Sequence, residues 1–369
     1  MGKITLKFND KEVQGEAGMT VLEIARSNDI YIPTLCADPN LVPYGGCRLC
    51  LVEIEKMRGL QTACTTPARD GMIVHLDTPR AQKVRQEVLE LIVSEHTSDC
   101  LLCPRDPHCP RFNACLRDDV VTPRCVICAR NGDCDLQRVI DYIGLKEMRY
   151  RRKRREYEFD SSNAFFHRDP EKCILCARCV RVCDEVQGVG AIALLNRGRR
   201  AKVGTMLDLP MASSVCESCG QCVATCPVGA LVERNYRGPA ELEVKTICPY
   251  CGVGCSLLLQ VKGGKVIGAR GDPEGVVNRG STCVKGRFGM DFVNHPERLT
   301  TPLVKKDGEF VKATWEEALD LVADRLGEVK GDEFAGLASA KCTNEENYLF
   351  GKFVRGVMGT NNIDHCART

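Results

Sequence analysis

Ile4, Leu6 and Phe8 alternate with Thr5, Lys7 and Asn9, the period-two pattern of a strand with one buried face. With the segment that follows, it predicts a hairpin with strands near 3–8 and 12–15. Thr20-Val21-Leu22-Glu23 then reads as a capping box opening a helix. At Thr78 the pattern turns helical again: Thr78 suits the N-cap, Pro79 the first helical position, and Val84, Val88, Leu91 and Ile92 form an apolar stripe. That helix would end near His96. Further on, the halves of GVGCSLLLQVKGGKVIGARGD read as strands of a small β domain, joined at Gly263-Gly264. Thr314-Trp315-Glu316-Glu317-Ala318 opens another helix, with Thr314 as its cap. No run of 18 apolar residues occurs, so no membrane insertion is expected.

Composition changes what the pattern can mean. Aromatics make up 5% of the 369 residues, and the 44% hydrophobic share includes 25 cysteines. Much of the nominally apolar content is therefore ligand, and bound metal should replace missing burial. Cysteine at this density fits either a secreted disulfide scaffold or a metalloprotein. The first residues carry no apolar signal region and no twin arginine, so the chain is expected to be cytoplasmic with reduced thiols. Length alone allows two or three domains. A formal net charge of +2 argues against a nucleic-acid partner despite the basic run from Arg149 to Arg155, which reads as a solvated connecting segment or a subunit contact.

Cys36, Cys47, Cys50 and Cys64 stand as C-x10-C-x2-C-x13-C, with Gly45 and Gly46 letting backbone approach closely. The short C-x2-C bite would put two thiolates on one iron, and the outer cysteines complete the four ligands of a [2Fe–2S] cluster. A zinc knuckle is the alternative. Spacing and strand–helix context resemble the β-grasp [2Fe–2S] domain at the front of the large iron–sulfur subunit of complex I and its relatives. His96, Cys100, Cys103 and Cys109 follow as H-x3-C-x2-C-x5-C, which is similar to the His-(Cys)3 [4Fe–4S] site of the same family. A neutral imidazole in place of a thiolate should raise such a cluster's potential.

Cys115, Cys125, Cys128 and Cys134 then depart from that family pattern by adding four more thiols as C-x9-C-x2-C-x5-C. The family's acidic-Leu-Gln continuation follows Cys134, as Asp135-Leu136-Gln137, and not Cys109. Either two adjacent [4Fe–4S] clusters share the eight donors, or one cluster chooses among them. Two clusters are favoured, since eight divides evenly and idle exposed thiols are oxidation hazards.

Cys173, Cys176, Cys179 and Cys183, and then Cys216, Cys219, Cys222 and Cys226, each run C-x2-C-x2-C-x3-C. They resemble a bacterial two-cluster ferredoxin, with Asp184 where proline is usual. The resemblance implies crossed ligation: Cys173, Cys176 and Cys179 with Cys226, and Cys216, Cys219 and Cys222 with Cys183.

Cys248, Cys251, Cys255 and Cys283 stand as C-x2-C-x3-C-x27-C. This resembles the N-terminal [4Fe–4S] domain of enzymes carrying molybdenum or tungsten bis-pterin guanine dinucleotide (bis-MGD), where the lysine two residues on, here Lys285, lies between cluster and pterin. SAKCTNEENYLFGKFVRGVMGT and NNIDHCART look like the opening of the catalytic domain of cytoplasmic formate dehydrogenases. Cys342 and Cys366 lack partner spacing and read as non-ligands. In that family a metal-binding selenocysteine or cysteine stands two positions after the His-Cys-Ala-Arg segment. The sequence ends at Thr369, so a UGA selenocysteine codon just beyond is expected, with a deliberate fragment as the alternative.

The expected architecture is α+β and multidomain: a β-grasp [2Fe–2S] domain (1–78), a His-(Cys)3 region with an extra four-cysteine site (79–160), a two-cluster ferredoxin-like domain (161–240), a molybdenum-type [4Fe–4S] domain (241–300) and the beginning of a molybdopterin domain (301–369). The resemblance implies one [2Fe–2S] and four or five [4Fe–4S] clusters, with Mo- or W-bis-MGD in the full-length protein. It implies electron transfer between a formate-oxidising, CO2-reducing centre and flavin/NAD(P)-binding iron–sulfur partner subunits or a hydrogenase module. No catalytic residue is expected within 1–369, so the chain alone should not turn over formate. The rivals are a complex I-like large iron–sulfur subunit, the electron-transfer part of an iron hydrogenase complex, and a colourless zinc-stapled scaffold.

Overall fold

The computed structural model describes residues 2–96, 128–145, 149–150 and 157–366. Cys100, Cys103, Cys109, Cys115 and Cys125 lie outside them. The chain divides into two compact units, Met1–Pro239 and Ala240–Thr369. Among the described residues no helix is long and apolar enough to cross a membrane.

The first unit opens on β1 (Lys3–Phe8) and β2 (Lys11–Glu16), paired antiparallel with Leu6 opposite Val13. The expected hairpin is there, its return strand running one residue further at each end. Helix α1 (Val21–Ser27) begins at the Thr20–Glu23 capping box, both of its reciprocal bonds made. Strands β3 (Leu51–Ile54), β4 (Leu60–Thr62) and β5 (Met72–His75) complete a five-stranded sheet ordered β2-β1-β5-β3-β4, in which β1 and β5 run parallel. Leu6, Phe8, Ile24, Val52 and Val74 fill the core between sheet and helix, and Cys50 and Cys64 belong to the same core. The ligand loop is thus anchored by packing, not merely appended to it.

Helix α2 (Pro79–Glu95) has Thr78 as its N-cap and Pro79 in its first turn, as expected. Its buried face corrects the sequence reading. Ala81, Arg85, Leu89, Glu90, Val93 and Ser94 are buried, while Leu91 of the expected stripe is 53% exposed. The reason is a buried cation: Arg85 donates to the Leu51 carbonyl at 2.6 Å and pairs with Asp77 at 3.0 Å. A long aliphatic stem with a polar end can occupy a core face that a hydrophobic stripe would otherwise claim. Arg85→Met keeps the stem and removes both bonds. It should cost about 1–3 kcal/mol, the penalty of leaving a buried acceptor unmet, read as earlier loss of visible absorbance on urea titration.

Helix α3 (Asp135–Ile143) packs on α2, and Tyr142 donates to Asp77 at 3.0 Å. The ferredoxin-like part follows: β6 (Phe166–Arg168), α4 (Arg178–Arg181) running on into a π turn at Val182–Val186, β7 (Ile192–Leu195), β8 (Lys202–Thr205), α5 (Gln221–Thr225) and β9 (Leu231–Glu233). Antiparallel pairs β6–β9 and β7–β8 brace the two short helices.

The second unit is built on the antiparallel sheet β10 (Leu242–Ile247), β11 (Ser256–Lys262) and β12 (Lys265–Gly271). Gly263 and Gly264 both take positive φ (54° and 72°), the two-residue turn that glycine makes without strain. Helix α6 (Val284–Phe288) packs on β12. Then come the hairpin β13 (Leu303–Lys306) and β14 (Glu309–Lys312), helix α7 (Trp315–Gly327) with a complete Thr314–Glu317 capping box, and β15 (Gly336–Ala338), helix α8 (Asn344–Gly356) and β16 (Ile363–His365), the two strands parallel.

Candidate iron–sulfur sites

The loop between α1 and β3 carries three of the first four thiols, and Cys64 comes from the turn after β4. Cys50 Sγ lies 3.4 Å from Cys64 Sγ, and the Cys47 N–H donates to Cys36 Sγ at 3.3 Å. Sequence spacing suggests Cys47 and Cys50 on one iron; the sulfur contacts in the structure run between Cys36 and Cys47 and between Cys50 and Cys64. Backbone shape explains it. Gly45 (φ 66°) and Arg48 (φ 57°) turn the chain on either side of Cys47, directing neighbouring thiols apart. The thiol of Cys36 supports Cys47 as a thiolate and holds its pKa down, while the Cys36 proton is held up by the same bond and by burial. Cys64 and Cys50 repeat the arrangement. Each pair needs to lose one more proton for four thiolates, and iron supplies that displacement.

His96 is the C-cap of α2 and buried. Cys134 is the N-cap of α3, with its thiol 3.6 Å from the Pro227 carbonyl, and Asp135 N donates to the same carbonyl at 2.9 Å. Cys128 packs on the next turn of that loop, its sulfur lying where a Cβ on Gly229 would meet it. Both thiols therefore dock against the segment that directly follows Cys226.

The two ferredoxin-type runs share one backbone. Leu175 and Ala177 in the first, and Ser218 and Gly220 in the second, take φ of 55°, 62°, 57° and 75°. Left-handed backbone costs a non-glycine residue about 1–2 kcal/mol, strain of the kind held at functional sites. It turns amides inward: Leu175 N donates to Cys173 Sγ and Ser218 N to Cys216 Sγ, each at 3.4 Å. Cys173, Cys176, Cys179 and Cys226 rim an open hollow of about 560 Å³, with Cys222 also in its lining. Cys183, Cys216, Cys219 and Cys222 rim another of about 360 Å³. Burial pushes the Cys176 thiol up to about 12 and raises those of Cys179 and Cys222, so ligation must drive their deprotonation.

The donor set fits iron–sulfur clusters. A lone zinc needs four donors within about 2.3 Å of one point, and among the described residues no three Cys, His, Asp or Glu side chains converge on a single ion. The thiols instead surround spaces that a multi-atom core would fill. Arg168, which lines the larger hollow, keeps a buried Nε–H with no hydrogen-bond partner among the described residues, an orphan that a cluster sulfur would satisfy; Arg178, inside the first ligand run, keeps another. Sequence reasoning missed both arginines. The cue was present in Cys176-Ala177-Arg178-Cys179, a charge inside a ligand run.

In the second unit, Cys248 and Cys255 flank the turn into β11, with Cys248 N donating to the Cys255 carbonyl at 2.8 Å. Cys283 caps α6, and a Cβ on Gly286 would lie 3.6 Å from Cys248 Sγ. Cys248 and Cys255 are raised first by burial, and the charges of Cys251 and Cys283 facing them add to it. Lys285 is exposed on α6. Cys366 lies 3.5 Å from the Ser339 hydroxyl, and Cys342 is half-buried.

Comparison with known families matches four segments of the chain. Residues 2–79 match the 2Fe-2S iron-sulfur cluster binding domain and 164–232 the ferredoxin-like domain of NADH-quinone oxidoreductase subunit 3. Residues 241–295 match the molybdopterin oxidoreductase Fe4S4 domain and 298–369 molybdopterin oxidoreductase itself. Segment by segment, the chain is similar to the iron–sulfur molybdopterin oxidoreductases. It is 37% identical to a G-type subunit of NADH-quinone oxidoreductase from Rhizobium meliloti, over 99% of the chain and 40% of that protein. It is 34% identical to the NADPH-Fe(3+) oxidoreductase alpha subunit of Geobacter sulfurreducens, over 99% and 40%. A Staphylococcus haemolyticus protein provisionally named formate dehydrogenase is 32% identical, over 99% and 39%. The chain thus spans about two-fifths of these curated relatives. Among solved structures, an NAD+-reducing [NiFe]-hydrogenase aligns with a TM-score of 0.51 at 26% identity, covering 63% of this chain and 87% of that one. The chain therefore carries 2Fe-2S and 4Fe-4S binding domains followed by the start of a molybdopterin domain.

Proposed function

We propose that the chain is the iron–sulfur portion of a cytoplasmic formate dehydrogenase alpha subunit, linking a Mo- or W-bis-MGD centre that interconverts formate and CO2 with a flavin-bearing NAD(P)-linked partner. The observation that carries this reading is the co-occurrence, in one chain, of the Fe4S4 and molybdopterin segments with a front end shared by NAD(P)-linked electron-transfer subunits. Clusters supply one-electron steps between a two-electron oxidation and a flavin. The residues supply distance and order. Within the first unit, the loop holding Cys36 and Cys47 rests on the turn that holds Cys179 and Cys183: Val42 N donates to Glu185 at 3.2 Å, Arg181 covers the Tyr44 ring at 5.1 Å and contacts the Val42 carbonyl, and Asp38 accepts from Thr225. The Cys128 and Cys134 loop docks beside Cys226. The first loop thus meets residues on both sides of Cys183, which rims the smaller hollow, and Thr225 beside Cys226, while the second meets the segment after Cys226, so the twin sites lie between the two neighbours.

Identity to the quinone-reductase and NADPH–iron relatives favours a second reading, in which the chain carries electrons from NAD(P)H with no formate chemistry. The native complex decides between them. Formate should reduce a viologen dye through it, and Cys248→Ser should abolish that while leaving NAD(P)H-driven dye reduction. A complex that reduces dye with NAD(P)H but never with formate would retire the first reading in favour of the second.

A further inference from the structure

The twin ferredoxin-type runs repeat one backbone but not one electrostatic setting. Arg168 lines the hollow of Cys173, Cys176, Cys179 and Cys226 and is 8% exposed. Its Nη atoms bond the Val203 carbonyl at 2.9 Å and Asp160 at 3.2 Å, leaving Nε–H buried without a partner. Arg178, inside the same ligand run and equally buried, gives Nη1 to Asp135 at 3.0 Å and to the Thr225 carbonyl, again with Nε–H unmet. Around the hollow of Cys183, Cys216, Cys219 and Cys222, the described lining residues include no lysine or arginine and do include Glu217. The nearest cation in sequence, Arg181, is turned away to Tyr44, Val42 and Glu185.

We propose that Arg168 makes the twin sites unequal, holding the cluster of Cys173, Cys176, Cys179 and Cys226 at a higher potential than the cluster of Cys183, Cys216, Cys219 and Cys222. This rests on the reading that both hollows hold [4Fe–4S] clusters. Reduction adds a negative charge, which buried cations and N–H donors to sulfur stabilise. Burial by itself works the other way, because a low-dielectric site resists added charge. The guanidinium contribution wins because the same low dielectric strengthens its attraction. Asp169 also lines the larger hollow, but Lys172 holds it at 2.9 Å. Asp160, the counter-ion of Arg168, is not among the described lining residues. An electron reaching either twin then settles on the cluster of Cys173, Cys176, Cys179 and Cys226, beside which the loop of Cys128 and Cys134 docks.

The test is an EPR-monitored redox titration of the chain reconstituted with iron and sulfide, with Cys226→Ser assigning the signals. Arg168→Gln should lower the higher midpoint enough to change electron exchange between the twins at least tenfold, about 59 mV for a one-electron couple, with the lower midpoint unmoved. Arg168→Lys should keep most of the difference. Glu217→Gln, at an exposed position, should raise the lower midpoint. Equal midpoints in the unaltered chain, or equal movement of both in Arg168→Gln, would overturn the proposal. If Arg168→Gln fails to load iron, the Glu217 variant decides, and a lower midpoint that does not rise overturns it. Absence of [4Fe–4S] signals from the unaltered chain would instead defeat the cluster reading on which the ordering rests.

Discussion

Cys226→Ser is expected to remove the cluster of the other run. Its thiol closes the hollow rimmed by Cys173, Cys176 and Cys179, whereas Cys216, Cys219 and Cys222 rim the hollow that Cys183 closes. The variant should lose about four irons per chain together with one EPR signal, and Cys183→Ser should lose the other. Three thiols and one hydroxyl leave a cluster weakly held, so loss should be nearly complete after gel filtration. Because Cys226 is buried and its loop receives Asp135 N at Pro227, a general collapse would also reduce both iron counts at once. The two single losses separate these cases. If Cys226→Ser instead destroyed the signal assigned through Cys216→Ser, the crossed arrangement would be wrong.

What the sequence made legible was local or periodic. The Thr20–Glu23 and Thr314–Glu317 capping boxes close within one helical turn, so four residues specify them. The Gly263-Gly264 turn is equally local. The thiols of the two ferredoxin-type runs are brought around two hollows, and a cluster's need for thiols at fixed reach would leave that spacing in the sequence. The buried face of α2 was not legible, since Arg85 is held there by a carbonyl 34 positions away and hydrophobicity does not encode such a bond. The pairing of Cys36 with Cys47 was hidden for a different reason: it follows from left-handed turns at Gly45 and Arg48, one of them at a residue with no turn signature. Arg178 and Asp135 stand 43 positions apart, and only folding shows that a charge in one ligand run answers a charge after another.

The eight donors between His96 and Cys134 carry the other large expected effect. Cys100→Ser and Cys134→Ser should each lose about four irons, and the double variant about eight. The ground for expecting two losses is the repeated C-x2-C-x5-C spacing together with where the second block ends. Cys134 caps α3, and Asp135-Leu136-Gln137 begins the helix that docks on the loop after Cys226. His96 caps α2, a separate helix held to α3 through Asp77 and Tyr142. Two helix ends thus present two donors, and the thiols of 100–128 are numerous enough to complete a cluster at each. A histidine-ligated cluster should titrate above an all-cysteine neighbour, so the two signals should also differ in midpoint. His96→Cys should lower only the one lost in Cys100→Ser. If the double variant lost no more iron than either single, one cluster would draw on both blocks, and the remaining thiols would serve something other than this electron path.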